Sequence, residues 1–188
     1  MNKRTNETIS PAKRAALTGM LAAVTLALSF IERALCASLP LPPGVRPGLS
    51  NIAVMFAAVA LGLPFAMGII VIKAGFIMLI SGAYAGIISL SGGVLSVLGF
   101  WALGRLRGKK LSYTGISVVS AVLHNAGQLA AASALVGSAL YLWMAPVLLV
   151  SGVAFGLVTG LTLNTVLPSL LKILPHIRKS ETSENGGR

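Results

Sequence analysis

Lys73 is the single charge in the apolar stretch from Pro64 to Ile80, nine residues after its start and seven before its end. On a helix that places it about 10 to 14 Å along the axis from either side. An ammonium held that deep in lipid is costly, so it either snorkels toward the interface or faces a polar cavity. Glu32 and Arg33 sit together near the end of an earlier apolar stretch, and Glu32 is the one acid outside the two terminal tails. Its carboxylate suits two roles, an ion pair with Lys73 or Arg46, or direct contact with a bound solute. In His124-Asn125-Ala126-Gly127-Gln128 the spacings of three and four allow His124, Asn125 and Gln128 to share a helix face. An imidazole and two amides offer donors and acceptors without fixed charge, which fits a buried ligand and fits interhelical hydrogen bonds equally well.

A second region of interest runs from Pro40 to Asn51 and is stiffened by four prolines. Ser50 at its end reads as the N-cap of the following helix, which would present free backbone N–H groups beside Asn51 and Arg46, an arrangement that attracts anions. A stiff loop leading into a capped helix accounts for the same residues. Ser89-Leu90-Ser91-Gly92-Gly93 suggests a locally unwound helix, since paired glycines weaken helical backbone. The only cysteine is Cys36, and the two histidines have no metal-ligand spacing, so the sequence indicates no metal site, no resident cofactor and no catalytic constellation.

These groups must be positioned by membrane helices. A bilayer core about 30 Å thick needs about 20 mostly apolar residues per helical span. Candidate spans are Ala15 to Leu35, Ser50 to Leu63, Pro64 to Ile80, Tyr84 to Leu103, Thr114 to Val136 and Tyr141 to Leu163 or slightly beyond. Ser50 to Ile80 as one helix would be about 46 Å long, and Gly62-Leu63-Pro64 supplies a break. Charge agrees with splitting it there. Lys3, Arg4, Lys13, Arg14, Arg105, Arg107, Lys109, Lys110, Lys172, Arg178, Lys179 and Arg188 then fall on one side, and only Arg33 and Arg46 on the other. Both termini are therefore expected in the cytoplasm. The expected organisation is a basic segment over 1–14, an all-α domain of about six transmembrane helices over 15–171, and a basic tail over 172–188 that is mobile from Ser180 onward. The apolar run of about twenty residues near the N-terminus reads as a retained first span rather than a cleaved leader.

Composition excludes a water-soluble domain. Fifty-five per cent of the chain is apolar, 10% is charged, and Asp is absent, whereas a soluble surface needs roughly a quarter charged residues. The net charge of +11 is gathered in clusters between apolar runs, which is a topology signal and not a nucleic-acid groove. Small residues recur at helical spacing: Gly152, Gly156 and Gly160; Gly82 and Gly86 with Ser89 and Gly93; Gly19, Ala23 and Ala27. In lipid such stripes let backbones approach closely. Each stripe fits packing within the bundle, and the one on the first span also fits docking to another membrane protein.

Three blocks, Pro43-Gly44-Val45-Arg46-Pro47-Gly48-Leu49-Ser50-Asn51-Ile52, Ser91-Gly92-Gly93-Val94-Leu95-Ser96 and His124-Asn125-Ala126-Gly127-Gln128, resemble the heptaprenyl diphosphate synthase component I family, also called Gx transporters. The resemblance spans roughly residues 12 to 170. That family is similar to the substrate-binding S components of energy-coupling factor transporters. The resemblance implies a ligand site near the outer face built from the first outer loop and spans two, three and five, with docking through Gly19, Ala23 and Ala27 to membrane and ATPase subunits. A multi-pass protein of the cell membrane that captures a small anionic or polar solute follows, with Arg46, Ser50, Asn51, Lys73, His124, Asn125 and Gln128 as ligand residues. The other reading is a subunit in prenyl-lipid or quinone synthesis. With no Asp to hold magnesium on a diphosphate, such a subunit would be non-catalytic. No G-x-x-x-x-G-K-[ST] motif is present, so ATP-driven work would need other subunits.

Overall fold

A computed structural model describes residues 11–38, 48–105, 112–137 and 143–173. Six helices follow in order: α1 (Pro11–Ser38), α2 (Leu49–Ala60), α3 (Leu63–Ser81), α4 (Ala83–Arg105), α5 (Tyr113–Val136) and α6 (Ala145–Ile173). All except α2 are long and apolar enough to cross a membrane. The chain is a multi-pass, all-α membrane protein, as its composition requires.

The break between α2 and α3 falls at the expected Gly62. Its φ of 94° lies where side chains are strained, and its N–H and that of Leu61 both close on the Ala57 carbonyl. Pro64 then opens α3 in the first turn, where its missing N–H removes no helical bond. α2 spans 12 residues, about 18 Å, well short of the membrane thickness. It is also the most enclosed element, with Ser50, Asn51 and every residue from Ala53 to Ala58 buried.

Paired contacts give the directions. Lys73, midway along α3, reaches Ser50 and Asn51 at the start of α2, so α2 and α3 form an antiparallel hairpin. Gly93 faces Ile70 and Gly86 faces Met78, which sets α4 antiparallel to α3. Ser96 bonds Ser120 at 3.0 Å between α4 and α5. A methyl on Gly156 would lie 2.7 Å from Val118 Cα, and one on Gly160 2.6 Å from Thr114 Cα, so α6 lies backbone-close and antiparallel to α5. Alternating directions bring the start of α1 and the end of α4 to one end of the bundle. Lys13, Arg14 and Arg105 mark it, the last with its guanidinium 4.1 Å from the Trp101 ring centroid.

Two local expectations are corrected. Ser89 to Gly93 lies in continuous helix, because the missing side chains at Gly92 and Gly93 make room for Gln128 and Ile70 and the backbone is covered by packing. Ser50 is not the N-cap of α2. Gly48 precedes the helix at a φ of 70°, and the Ser50 hydroxyl, inside the first turn, bonds side chains of α1 and α3 instead. The Gly152, Gly156, Gly160 stripe and Gly86 with Gly93 do serve packing within the bundle.

Candidate functional site

The short α2 creates the site. Its first turn sits beside Glu32, about 9 Å before the end of α1 at Ser38, and beside Lys73, about 12 Å before the end of α3 at Ser81. The helix therefore begins below the level its neighbours reach, at the end of the bundle away from Lys13 and Arg105. That places its positive N-terminal end inside the protein, where side chains must satisfy it.

Glu32 does so. Its Oε1 accepts the Gly48 N–H at 2.8 Å and its Oε2 accepts the Ser50 hydroxyl at 3.2 Å. Lys73 Nζ donates to Ser50 Oγ at 2.7 Å and to Asn51 Oδ1 at 3.2 Å. Ser50 thus links ammonium to carboxylate, receiving from one and donating to the other. Glu32 is 5% exposed and Lys73 8%, so Lys73 does not snorkel to the interface. It is held in the bundle by three polar partners from α1 and α2, directly or through Ser50.

Facing this network across the cavity, α5 presents His124 and Gln128, with His124 Nε2 and Gln128 Nε2 3.1 Å apart. An amide nitrogen only donates, so Gln128 Nε2–H donates and His124 Nε2 accepts. Gly92 of α4 permits it, since a methyl there would sit 2.6 Å from Gln128 Cγ and 3.2 Å from His124 Cε1. Ser29, Glu32, Arg33, Lys73, His124 and Gln128 together line a cavity of about 20 Å³ with the first turn of α2. A second cavity of about 20 Å³ lies on the other side of Asn51 and His124 and reaches Met55, Asn125 and Phe155. Each has room for no more than one or two waters. A larger solute must move side chains or the start of α2 to enter.

Of the expected ligand residues, Ser50, Asn51, Lys73, His124 and Gln128 come together around the first cavity. Asn125 does not join them, because its amide donates to the Leu148 carbonyl of α6 at 2.6 Å. A turn offset of one residue points it to the neighbouring helix. Arg46 lies outside the described residues. Sequence reasoning left Glu32 between a pairing role and a ligand role, and missed Ser29 and Ser89. The signal for Ser29 was present: Thr25, Ser29 and Glu32, at spacings of four and three, are the buried polar face of α1. On the same helix Gly19, Ala23 and Ala27 are exposed and face away from the bundle. Among the described residues no three His, Cys, Asp or Glu side chains gather as a metal site would require.

The family model for heptaprenyl diphosphate synthase component I matches residues 21–166. That interval runs from the packed part of α1 to α6 and contains every residue of the first cavity. No curated protein and no solved structure matches the chain.

Proposed function

We propose that this chain, which belongs to the heptaprenyl diphosphate synthase component I family, is the membrane-embedded substrate-binding subunit of a transporter and captures a small polar or anionic solute from the outer face of the cell membrane. The observation that carries the reading is the cavity itself. Buried ionisable and amide side chains from α1, α2, α3 and α5 converge there, roughly 10 Å below one end of the bundle. Such groups are costly in a membrane, and a solute pathway is the usual reason for keeping them. Lys13, Arg14 and Arg105 at the opposite end support the cavity's end as the outer one.

In this reading Lys73 and the first turn of α2 attract the solute's negative group, and His124 and Gln128 orient its neutral polar groups. α2 is the moving part. It is short, it does not cross the membrane alone, and Glu32 ties its first turn to α1 through two hydrogen bonds. The exposed Gly19, Ala23 and Ala27 face suits close approach of another helix, so we assign it to an energy-coupling membrane subunit that works with an ATPase.

The family's name favours a second reading, a non-catalytic subunit in prenyl-lipid synthesis. A small, charge-lined cavity supports it poorly, because an isoprenoid chain is long and apolar. Native mass spectrometry of the gently solubilised protein separates the two. A polar metabolite retained by the wild type and lost from Lys73→Ala and His124→Ala is the expected result; a retained polyprenyl species refutes capture of a polar solute.

A further inference from the structure

The cavity holds charges of both signs. Glu32 on α1 and Lys73 on α3 both line it, each more than nine-tenths buried, and Arg33 lines it beside Glu32. The acid and the base are joined through the Ser50 hydroxyl. From this arrangement we infer that the solute is a zwitterion of the amino-acid type, its anionic group received by Lys73 and Arg33 and its ammonium by Glu32. The inference rests on the substrate-capture reading and narrows it.

The reason lies in like charges brought together in a poorly screened site. A carboxylate without an amine that takes the place of the Ser50 hydroxyl on Lys73 would lie beside the Glu32 carboxylate, since Lys73 and Glu32 contact that same hydroxyl. An amine without a carboxylate would meet Lys73 and Arg33. Either leaves one buried charge facing its like, which a low-dielectric interior penalises heavily. A zwitterion inserted between Glu32 and Lys73 replaces the Ser50 link with two charge-assisted hydrogen bonds and adds no net charge. Glu32 also holds the Gly48 N–H. An ammonium that draws the carboxylate away from Gly48 loosens the start of α2 as it binds, which gives a cavity of about 20 Å³ a way to admit a larger molecule.

The test uses the purified full chain in detergent. The twenty proteinogenic amino acids are added singly at millimolar concentration, each beside the carboxylic acid that lacks its amine and the amine that lacks its carboxylate, and the melting temperature is read. At least one amino acid should raise it by several degrees while neither counterpart does. Glu32→Gln keeps an acceptor for the Gly48 N–H and should bind that amino acid about tenfold more weakly or worse, as expected when a charged partner is removed. Stabilisation by the amine-free acid equal to that by the amino acid, tighter binding by Glu32→Gln, or no stabilisation by any amino acid overturns the inference. The counterpart comparison stands on the wild type, whatever the folding of the variant. A co-purified metabolite of one charge sign overturns the zwitterion and leaves substrate capture standing; a co-purified polyprenyl species overturns both.

Discussion

Replacing Lys73 with Met keeps a long unbranched side chain and removes the ammonium, leaving the Glu32 carboxylate buried against Ser50 and the Gly48 N–H. Hydrogen bonds of 2.7 and 3.2 Å through one oxygen put Lys73 Nζ and Glu32 Oε2 no more than about 6 Å apart. At an effective dielectric constant near 20, unit charges at that separation attract by about 3 kcal/mol. Lys73→Met and Glu32→Gln should each lose about that much stability, because each strands the other charge. The double variant has no stranded charge, so its loss should fall short of the summed single losses by about 3 kcal/mol, the coupling energy of the pair. Reversible unfolding in mixed micelles with rising dodecyl sulfate, followed by the fluorescence of Trp101 and Trp143, measures all four proteins. Additive losses, with coupling below about 0.5 kcal/mol, would refute the view that Ser50 bridges two opposite charges.

Gly156→Ile should destabilise by about 2 kcal/mol or more in the same assay, since the new side chain meets Val118 Cα, whereas Gly104→Ala, with nothing within 4 Å, should not. Asn125→Ala should lose about 1 kcal/mol with the bond to the Leu148 carbonyl and retain the bound metabolite in native mass spectra, unlike His124→Ala. Gly19→Leu with Ala23→Leu should leave unfolding within about 0.5 kcal/mol of wild type, because both positions are exposed, yet abolish co-purification with an ATPase-linked membrane partner. In a Cys36→Ala background, an impermeant maleimide applied to whole cells should label Ser38→Cys and reach Ser112→Cys only after permeabilisation, since the two positions lie at opposite ends of the bundle.

Hydropathy and charge clusters were enough to read the class of protein, the number of helices, the break at Gly62 and the shared side of the start of α1 and the end of α4. Each of these depends on the chain's relation to lipid and water, a property of local composition. Lys73, Ser50, Asn51, His124 and Gln128 were legible for the same reason, as polar groups where lipid leaves no room for them. What they do to one another was not legible. Lys73 and Ser50 are 23 positions apart, and their meeting depends on α2 stopping short inside the bundle and running antiparallel to α3. Ser50 looked like a cap because Ser before an apolar run usually is one. Gly48 took that place, and the hydroxyl was left to join an acid on α1 to a base on α3. Asn125 looked equivalent to its neighbours His124 and Gln128 until the approach of α6, made close by Gly152, supplied a carbonyl for its amide. The outward turn of Gly19, Ala23 and Ala27 was likewise set by which face of α1 the rest of the bundle covers, and that choice follows from the burial of Thr25, Ser29 and Glu32. One residue's spacing could reveal a polar group in lipid; only the packed helices could say which partner it met.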